Sequence, residues 1–354
     1  MNTLQRLGVG LIPLALIACD ASVDAPADET TGAPAADAGF INVYSARHYD
    51  EDDVIYERFT TETGIDVRRI EASGDLLIER VRAEGDVSPA DVIITVDAGR
   101  LWRAEEAGLF QPIGSNAVNA AIPARLRDPD GQWVGLAKRA RVIVHAPDRI
   151  AAEDVDTYAE LADPALKGRL CVRSSGNIYN LSLLAGLIER LGAEQAEAWA
   201  AGVAANFARD PQGGDTDQIK AVAAGVCDVA LVNHYYWVRL ANADNEDDVA
   251  VSGATAIIWP DQDGDGTHVN VSGVGLAANA PNEENARRFI EFLVEPAQQT
   301  LIAKGNNEFP AADAPTENPV LDAIGRPKEE VINVRVYGER QAEAAAIFDR
   351  VGWP

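Results

Sequence analysis

The sequence predicts an α/β fold of two lobes joined by crossing strands, with a cleft between them. Strand-like and helix-like runs alternate along most of the chain, which is the pattern of sheets covered by helices and argues for a mostly parallel sheet. Its 354 residues, 47% hydrophobic, exceed what one compact core usually holds, so two lobes of roughly 150 residues are expected. Two strand-like stretches are also long enough to pass from one lobe to the other.

The front of the chain is a separate matter. "MNTLQRLGVGLIPLALIACD" carries Arg6, an apolar stretch from Leu7 to Ala18, and then Cys19. The apolar run is too short to span a bilayer comfortably and reads as the core of a signal peptide. Leu16-Ile17-Ala18-Cys19 resembles the bacterial lipobox, which implies cleavage before Cys19 and a lipid on its sulfur. Residues 1–18 are then a lipoprotein signal peptide, the alternative being an ordinary signal peptide with an incidental cysteine. Residues 19–39, rich in Ala, Asp, Pro and Thr, form a lipidated, disordered tether that cannot bury a core. Coil statistics give it a span of about 25 Å, which keeps the folded part close to a membrane surface.

The folded part opens with the strand "FINVYSA" and a helix from "DEDDVIYERFTTETG", where Val54, Ile55 and Phe59 fall at helical spacing and Gly64 is a stop. Strand "IDVRRIEA", helix "GDLLIERVRAEG", strand "ADVIITVD" and helix "AGRLWRAEEAGLF" follow. "QWVGLAKRARVIVHA" is the first candidate crossover. The alternation resumes with "GRLCVRSS", the helices "NLSLLAGLIERLG", "AEQAEAWAAGVAANFA" and "TDQIKAVAAG", and the strand "CDVALVN". "AIIWPDQDGDGTHVNVSGVGLAA" is the second candidate crossover, and "NEENARRFIEFLVEPAQQTLIAKG" and the run from Pro327 to Val351 read as closing helices. This divides the chain into an N-lobe of 40–137 plus about 262–312 and a C-lobe of about 138–261 plus 313–354. Such an architecture is that of a bilobal binding protein, whose ligand sits beyond the carboxyl ends of its strands.

The formal net charge of −26 excludes nucleic acid as a partner, because phosphate backbones are bound through Lys and Arg. It suits an exported protein or a salt-adapted one. Cys171 and Cys227 form an even pair in an oxidising compartment and lie in strand-like runs that can be neighbours. One disulfide is expected, against two separate buried thiols.

Of eight tyrosines, four fall where a strand gives way to a helix. "SARHYDED" places His48 and Tyr49 in the first such turn; "SSGNIYNLS" places Tyr179 and "VNHYYWVRL" places Tyr235 and Tyr236 in two others. Tyr44, Tyr56, Tyr158 and Tyr337 read as packing residues. Neighbours in a first helical turn are about 100° apart, so adjacent phenols can reach one point. The partial positive charge of a helix N-terminus favours phenolate. Taking four phenols of pKa about 10 to phenolate at pH 7 costs roughly 4 kcal/mol each. Divalent hard ions use carboxylates that are already ionised, so a trivalent ion is the partner that repays this cost, and Fe(III) takes tyrosinate readily. Four phenolates around Fe(III) leave one negative charge for an arginine to offset.

"INVYSARHYDEDDVIYERFTTETGIDV", "ADVIITVDAGRLWRAEEAGLFQPI", "GLAKRARVIV", "RSSGNIYNLSLL", "NFARDPQGGDTDQIKAVAAG" and "THVNVSGVGLAANAPN" together resemble the periplasmic ferric-iron-binding proteins of bacterial iron ABC transporters, including their cyanobacterial branch. The resemblance covers nearly all of residues 40–354. It implies the type II periplasmic-binding-protein fold, Fe(III) as the transported ligand, an inner-membrane iron ABC permease as partner, a monomer, and no enzymatic activity or catalytic residue. It implies Tyr49, Tyr179, Tyr235 and Tyr236 as iron ligands. His48 matches a position that ligates in some members and not in others; Arg139 and Arg239 match arginines that balance charge around the ion or reach its sixth site. The departure is at the front, where a lipobox and an acidic tether stand in place of a plain signal peptide.

Other signals are weaker. "DQDGDG" from Asp261 starts like a calcium loop, but the twelfth position is Ser272 rather than a bidentate Glu. Four histidines without a cluster support neither zinc nor copper; His145 and His268 read as hydrogen-bonded structural residues, and His234 as a neighbour of the site. The alternative function is a binding protein for an organic cation, such as a polyamine or thiamine-like solute, stacked between the tyrosines. An iron oxygenase would need histidine or carboxylate partners that the predicted loops lack.

Overall fold

The computed structural model describes residues 39–354. The signal peptide, Cys19 and the tether up to residue 38 lie outside the described residues. Ten strands are present there: β1 (Phe40–Ser45), β2 (Asp66–Glu71), β3 (Val92–Val96), β4 (Phe110–Gln111), β5 (Trp133–His145), β6 (Leu170–Cys171), β7 (Val229–Asn233), β8 (Ala256–Ile258), β9 (Val269–Ala277) and β10 (Phe309–Pro310). Their order is β2-β1-β3-β9-β5-β7-β6, with β8 and β10 also pairing β5 and β4 pairing β9.

The 13-residue β5 organises this sheet. Its first part, Trp133–Ala140, runs antiparallel to β9, and its second, Arg141–His145, runs antiparallel to β7. Twelve of its residues are buried, which is the near-continuous apolar reading of a strand covered on both faces. Alternation then splits its side chains: Ile143 joins one apolar cluster, while Val142 and Val144 join another with Cys171, Val222 and Val232.

Three expectations are corrected. The sheet is mixed, not mostly parallel: among the described residues only β1–β2, β1–β3 and β6–β7 pair in parallel, because both long central strands, β5 and β9, enter antiparallel to their neighbours. The second crossover is not one strand but two, β8 and β9, separated by a turn in which Asp261 takes a positive φ of 59° and its carbonyl receives the N–H groups of Gly264 and Gly266. The closing run from Pro327 becomes helical only at Val336, and before it Glu329 forms a bridge to Thr267, whereas the run from Asn282 forms the helices Glu283–Leu293 and Pro296–Gly305. Helix ends follow their residues more closely. Gly64 stops the helix Asp50–Thr63 with φ 74°, where a Cβ would be strained.

Candidate metal centre at the strand ends

Each of the four expected tyrosines stands at the N-terminal end of a helix. Tyr49 caps the helix Asp50–Thr63, and its backbone N–H donates to Asp52 Oδ2 at 3.2 Å, so its phenol is not used for capping. Tyr179 is the second residue of the helix Ile178–Leu191, whose cap, Asn177, accepts the Tyr179 N–H at 3.1 Å. Tyr235 and Tyr236 are the second and third residues of the helix His234–Ala241. The strands behind the last two helices are held together: β6 pairs with β7, and Cys171 and Cys227 are disulfide-bonded, S–S 2.05 Å.

Three of the phenols meet. The hydroxyls of Tyr179 and Tyr235 are 3.2 Å apart, and the rings of Tyr235 and Tyr236 stack with centroids 4.3 Å apart. Arg239, one turn on, lies over both rings at 5.7 and 5.5 Å. Arg141 and Arg173 flank the Tyr179 ring at 5.8 and 5.4 Å, and the fully buried Asp215 pairs with both, at 2.7 and 3.6 Å. Tyr49 approaches the same charges from another element. Its phenol feels Glu308, Arg139 and Arg239, and Glu308 and Arg139 also act on Tyr235. Arg47 sits 4.9 Å over the Tyr49 ring, and His48 is exposed with its ring stacked on Tyr49 at 5.4 Å.

Burial sets the protonation of this cluster. It raises the Tyr235 phenol well above its ordinary value, and the neighbouring phenols Tyr179 and Tyr236 add to the rise. Burial likewise raises Tyr236, with help from Tyr179 and Asp215, and raises Tyr49, with help from Glu308 against the opposing arginines. Without a cation these phenols are neutral. Arg139 is already neutralised by Glu308, its Nε 3.0 Å from Oε1, whereas Arg239 makes no ion pair among the described residues and donates to Asn306 at 2.7 Å.

The other candidate residues are engaged elsewhere. His145 lies 3.0 Å from the Ile150 carbonyl, and His268 lies 2.6 Å from Glu330. His234 is held neutral by burial, its pKa lowered to about 3, and accepts the Ala140 N–H. Asp261 pairs with Arg190 and accepts the Tyr158 N–H, which spends the carboxylate that a calcium loop would need. Glu105, Asp128 and Asp130 offer oxygens within 4.8 Å of one another, yet Arg335 already pairs with the first two. Tyr44, Tyr158 and Tyr337 are buried and donate to protein acceptors, Glu84, the Arg141 carbonyl and Glu330. Arg47 and Glu308 escape the sequence reading. Arg47 stood in plain view two residues before Tyr49, but Glu308 lies in "NNEF", which has no local signal.

Residues 88–324 match the family of bacterial extracellular solute-binding proteins. The chain is 45% identical over 338 residues to iron uptake protein A1 of Synechocystis, covering 96% of this chain and 93% of that protein. The structure superposes on the Trichodesmium FutA (IdiA) protein in complex with iron and citrate with a TM-score of 0.86 at 50% identity, covering 89% of this chain and all of that one. It superposes on apo FutA2 of Synechocystis with a TM-score of 0.86 at 45% identity, covering 89% and 99%. These relatives are substrate-binding proteins and not enzymes, and the fold they share with this chain is the bilobal one with a cleft between two α/β lobes. The chain belongs to the bacterial extracellular solute-binding proteins, in the group of the cyanobacterial iron uptake proteins and the ferric-iron-binding proteins.

Proposed function

We propose that this protein captures Fe(III) in its interlobe cleft with Tyr49, Tyr179, Tyr235 and Tyr236 as phenolate ligands, and delivers it to an inner-membrane ABC permease. The observation that carries the reading is the 3.2 Å approach of the Tyr179 and Tyr235 hydroxyls at the first turns of two helices, with the Tyr236 ring stacked alongside. The Tyr49, Tyr235 and Tyr236 phenols, raised above their ordinary value by burial, make a poor resting place for polar groups but a good one for an ion that can displace their protons. The helix N-termini favour the resulting anions. Four phenolates and Fe(III) carry one net negative charge, and Arg239, which makes no ion pair among the described residues, is placed to offset it, while Arg139 serves through Glu308. His48, exposed and stacked on the Tyr49 ring, stands at the rim of the site.

The stacking of Tyr235 directly on Tyr236 at 4.3 Å leaves no gap between them for a flat organic cation, which weighs against that alternative. In this reading the N-lobe is 40–137 with about 262–312, the C-lobe about 138–261 with 313–354, and a monomer is held to the membrane surface through Cys19. Iron content and the visible spectrum test the proposal. Protein given Fe(III) develops a tyrosinate-to-iron charge-transfer band, and Tyr235→Phe weakens both colour and affinity. Protein that stays colourless with Fe(III) ends the reading.

A further inference from the structure

Four consecutive residues, Asn306 to Phe309, follow the helix Pro296–Gly305, run into β10 and touch the elements that carry the site tyrosines. Asn306 Oδ1 accepts from Arg239 at 2.7 Å, on the helix of Tyr235 and Tyr236. Asn307, with a left-handed φ of 55°, accepts from Asn242 at 3.0 Å, just beyond the end of that same helix. Glu308 turns the other way. It lies 3.0 Å from Arg139 and 3.6 Å from Arg47, whose guanidinium covers the Tyr49 ring. The Phe309 ring stacks on His234, the first residue of the Tyr235 helix, at 5.0 Å and 19°. Asn306, Glu308 and Phe309 are all buried.

Stability alone does not account for Glu308. Its side chain is fully buried, and neither carboxylate oxygen has a hydrogen-bond partner among the described residues; the two ion pairs are what offsets its desolvation. Buried charge clusters of this kind are often replaced by apolar residues at no loss of stability, so their presence points to placement. Here the carboxylate fixes the separation of two guanidiniums, one behind Tyr49 and one on the strand β5 that runs between the two halves of the sheet.

We propose that Asn306–Phe309 is a coupling segment, with Glu308 as its positioning residue, that ties Tyr49 to Tyr235 and Tyr236 so that phenols from both sides of the cleft hold the ion together. This rests on the iron reading of the site. Packed, ion-paired segments of this kind have few alternative arrangements, so a shift at one tyrosine-bearing element is felt at the other.

The test follows iron release. The full chain is loaded with Fe(III), mixed with excess citrate, and the loss of charge-transfer absorbance is timed. Glu308→Gln and Phe309→Leu are expected to release iron about tenfold faster than wild type, the scale of coupling between contacting residues. Glu308→Asp, which keeps the charge on a shorter stem, falls between. A residue that merely supports the fold would lower the melting temperature and leave release from the loaded protein unchanged. In the double variant, Tyr49→Phe adds little to Glu308→Gln, because the glutamate acts through Tyr49. Release within about twofold of wild type in the folded variants, or full additivity in the double variant, overturns the proposal. Should Glu308→Gln fail to fold, Phe309→Leu and Asn306→Ala decide on the same criterion. Wild-type protein that takes up no iron overturns the site reading itself and this inference with it, and is distinguished by the absence of colour before any variant is made.

Discussion

The two sides of the cleft hold their phenols differently. On one, Tyr179, Tyr235 and Tyr236 begin two helices whose preceding strands, β6 and β7, are hydrogen-bonded to each other and joined through Cys171–Cys227. Their oxygens and rings already touch. On the other, Tyr49 is the single site phenol, half-buried behind β1, and it reaches the rest through Arg47, Glu308 and Arg139. The first side is built by direct contact among its phenols; the second is linked to it through charged side chains. Under the ligand set proposed above, an ion meeting three preset donors would gain most of its binding there, and the fourth would set how long it stays.

The largest effect that sharpens this picture is pH. Burial raises the Tyr49, Tyr235 and Tyr236 phenols, so in the proposed site they carry protons that Fe(III) would have to expel on binding. The sign follows directly: affinity rises with pH and is lost as pH falls, by about a decade per pH unit for each proton released. Titrating iron uptake between about pH 5 and 8 at fixed competitor gives the proton count. A flat profile would mean that the bound form keeps its phenols neutral and that another chemistry holds the ligand.

Next come the phenols themselves. Tyr235→Phe, at the centre of the preset trio, is expected to cost more than about 100-fold in affinity, beyond the loss typical of groups outside the coordination sphere. Tyr49→Phe is expected to cost about tenfold, expressed mainly as faster release. Equilibrium titration with competing chelator and a stopped-flow release trace separate the two. Equal losses with equal kinetics would erase the distinction between the sides.

That distinction was only half legible in the sequence. The positions of the tyrosines at strand-to-helix turns follow from local patterning, since apolar runs, caps such as Asn177 and stops such as Gly64 are properties of neighbours along the chain. The sheet's mixed direction was not legible, because the pairing of β5 with both β9 and β7 joins segments more than 80 residues apart in sequence and leaves no mark on either, as the residues Arg139↔Asn270 and Arg141↔Asn233 illustrate. Glu308 was hidden for the same reason. A buried glutamate is recognised by what surrounds it, and both of its arginines come from distant chain. Tyr158 and Tyr337, by contrast, read correctly as packing residues, because each lies away from the strand ends where ligands gather.

Removing the disulfide tests how the trio is preset. The bridge closes a loop of 56 residues in sequence separation, and its loss in Cys171→Ser/Cys227→Ser costs about 4 kcal/mol of stability on the chain-entropy account. The effect on iron is smaller, about threefold in affinity, because β6 and β7 remain hydrogen-bonded and packed. Thermal unfolding and chelator competition read the two quantities independently. A loss of affinity as large as that from Tyr235→Phe would show that the bridge, not the strand pairing, keeps Tyr179 beside Tyr235.

The smallest expected effect lies at the rim. His48 is exposed, and its ring stacks on Tyr49 at 5.4 Å with 21° between planes, a contact worth about 0.5–1.5 kcal/mol in general. His48→Ala therefore lowers iron affinity by about threefold through a looser Tyr49, and the charge-transfer band keeps its position because the phenolate donors are unchanged. A histidine that ligates the ion behaves otherwise: its removal alters the donor set, moves the band, and costs well over tenfold. Pairing the substitution with Tyr49→Phe completes the argument. If His48 acts only by steadying Tyr49, the second change abolishes the effect of the first, whereas a histidine bound to iron retains its own contribution when the phenol is gone.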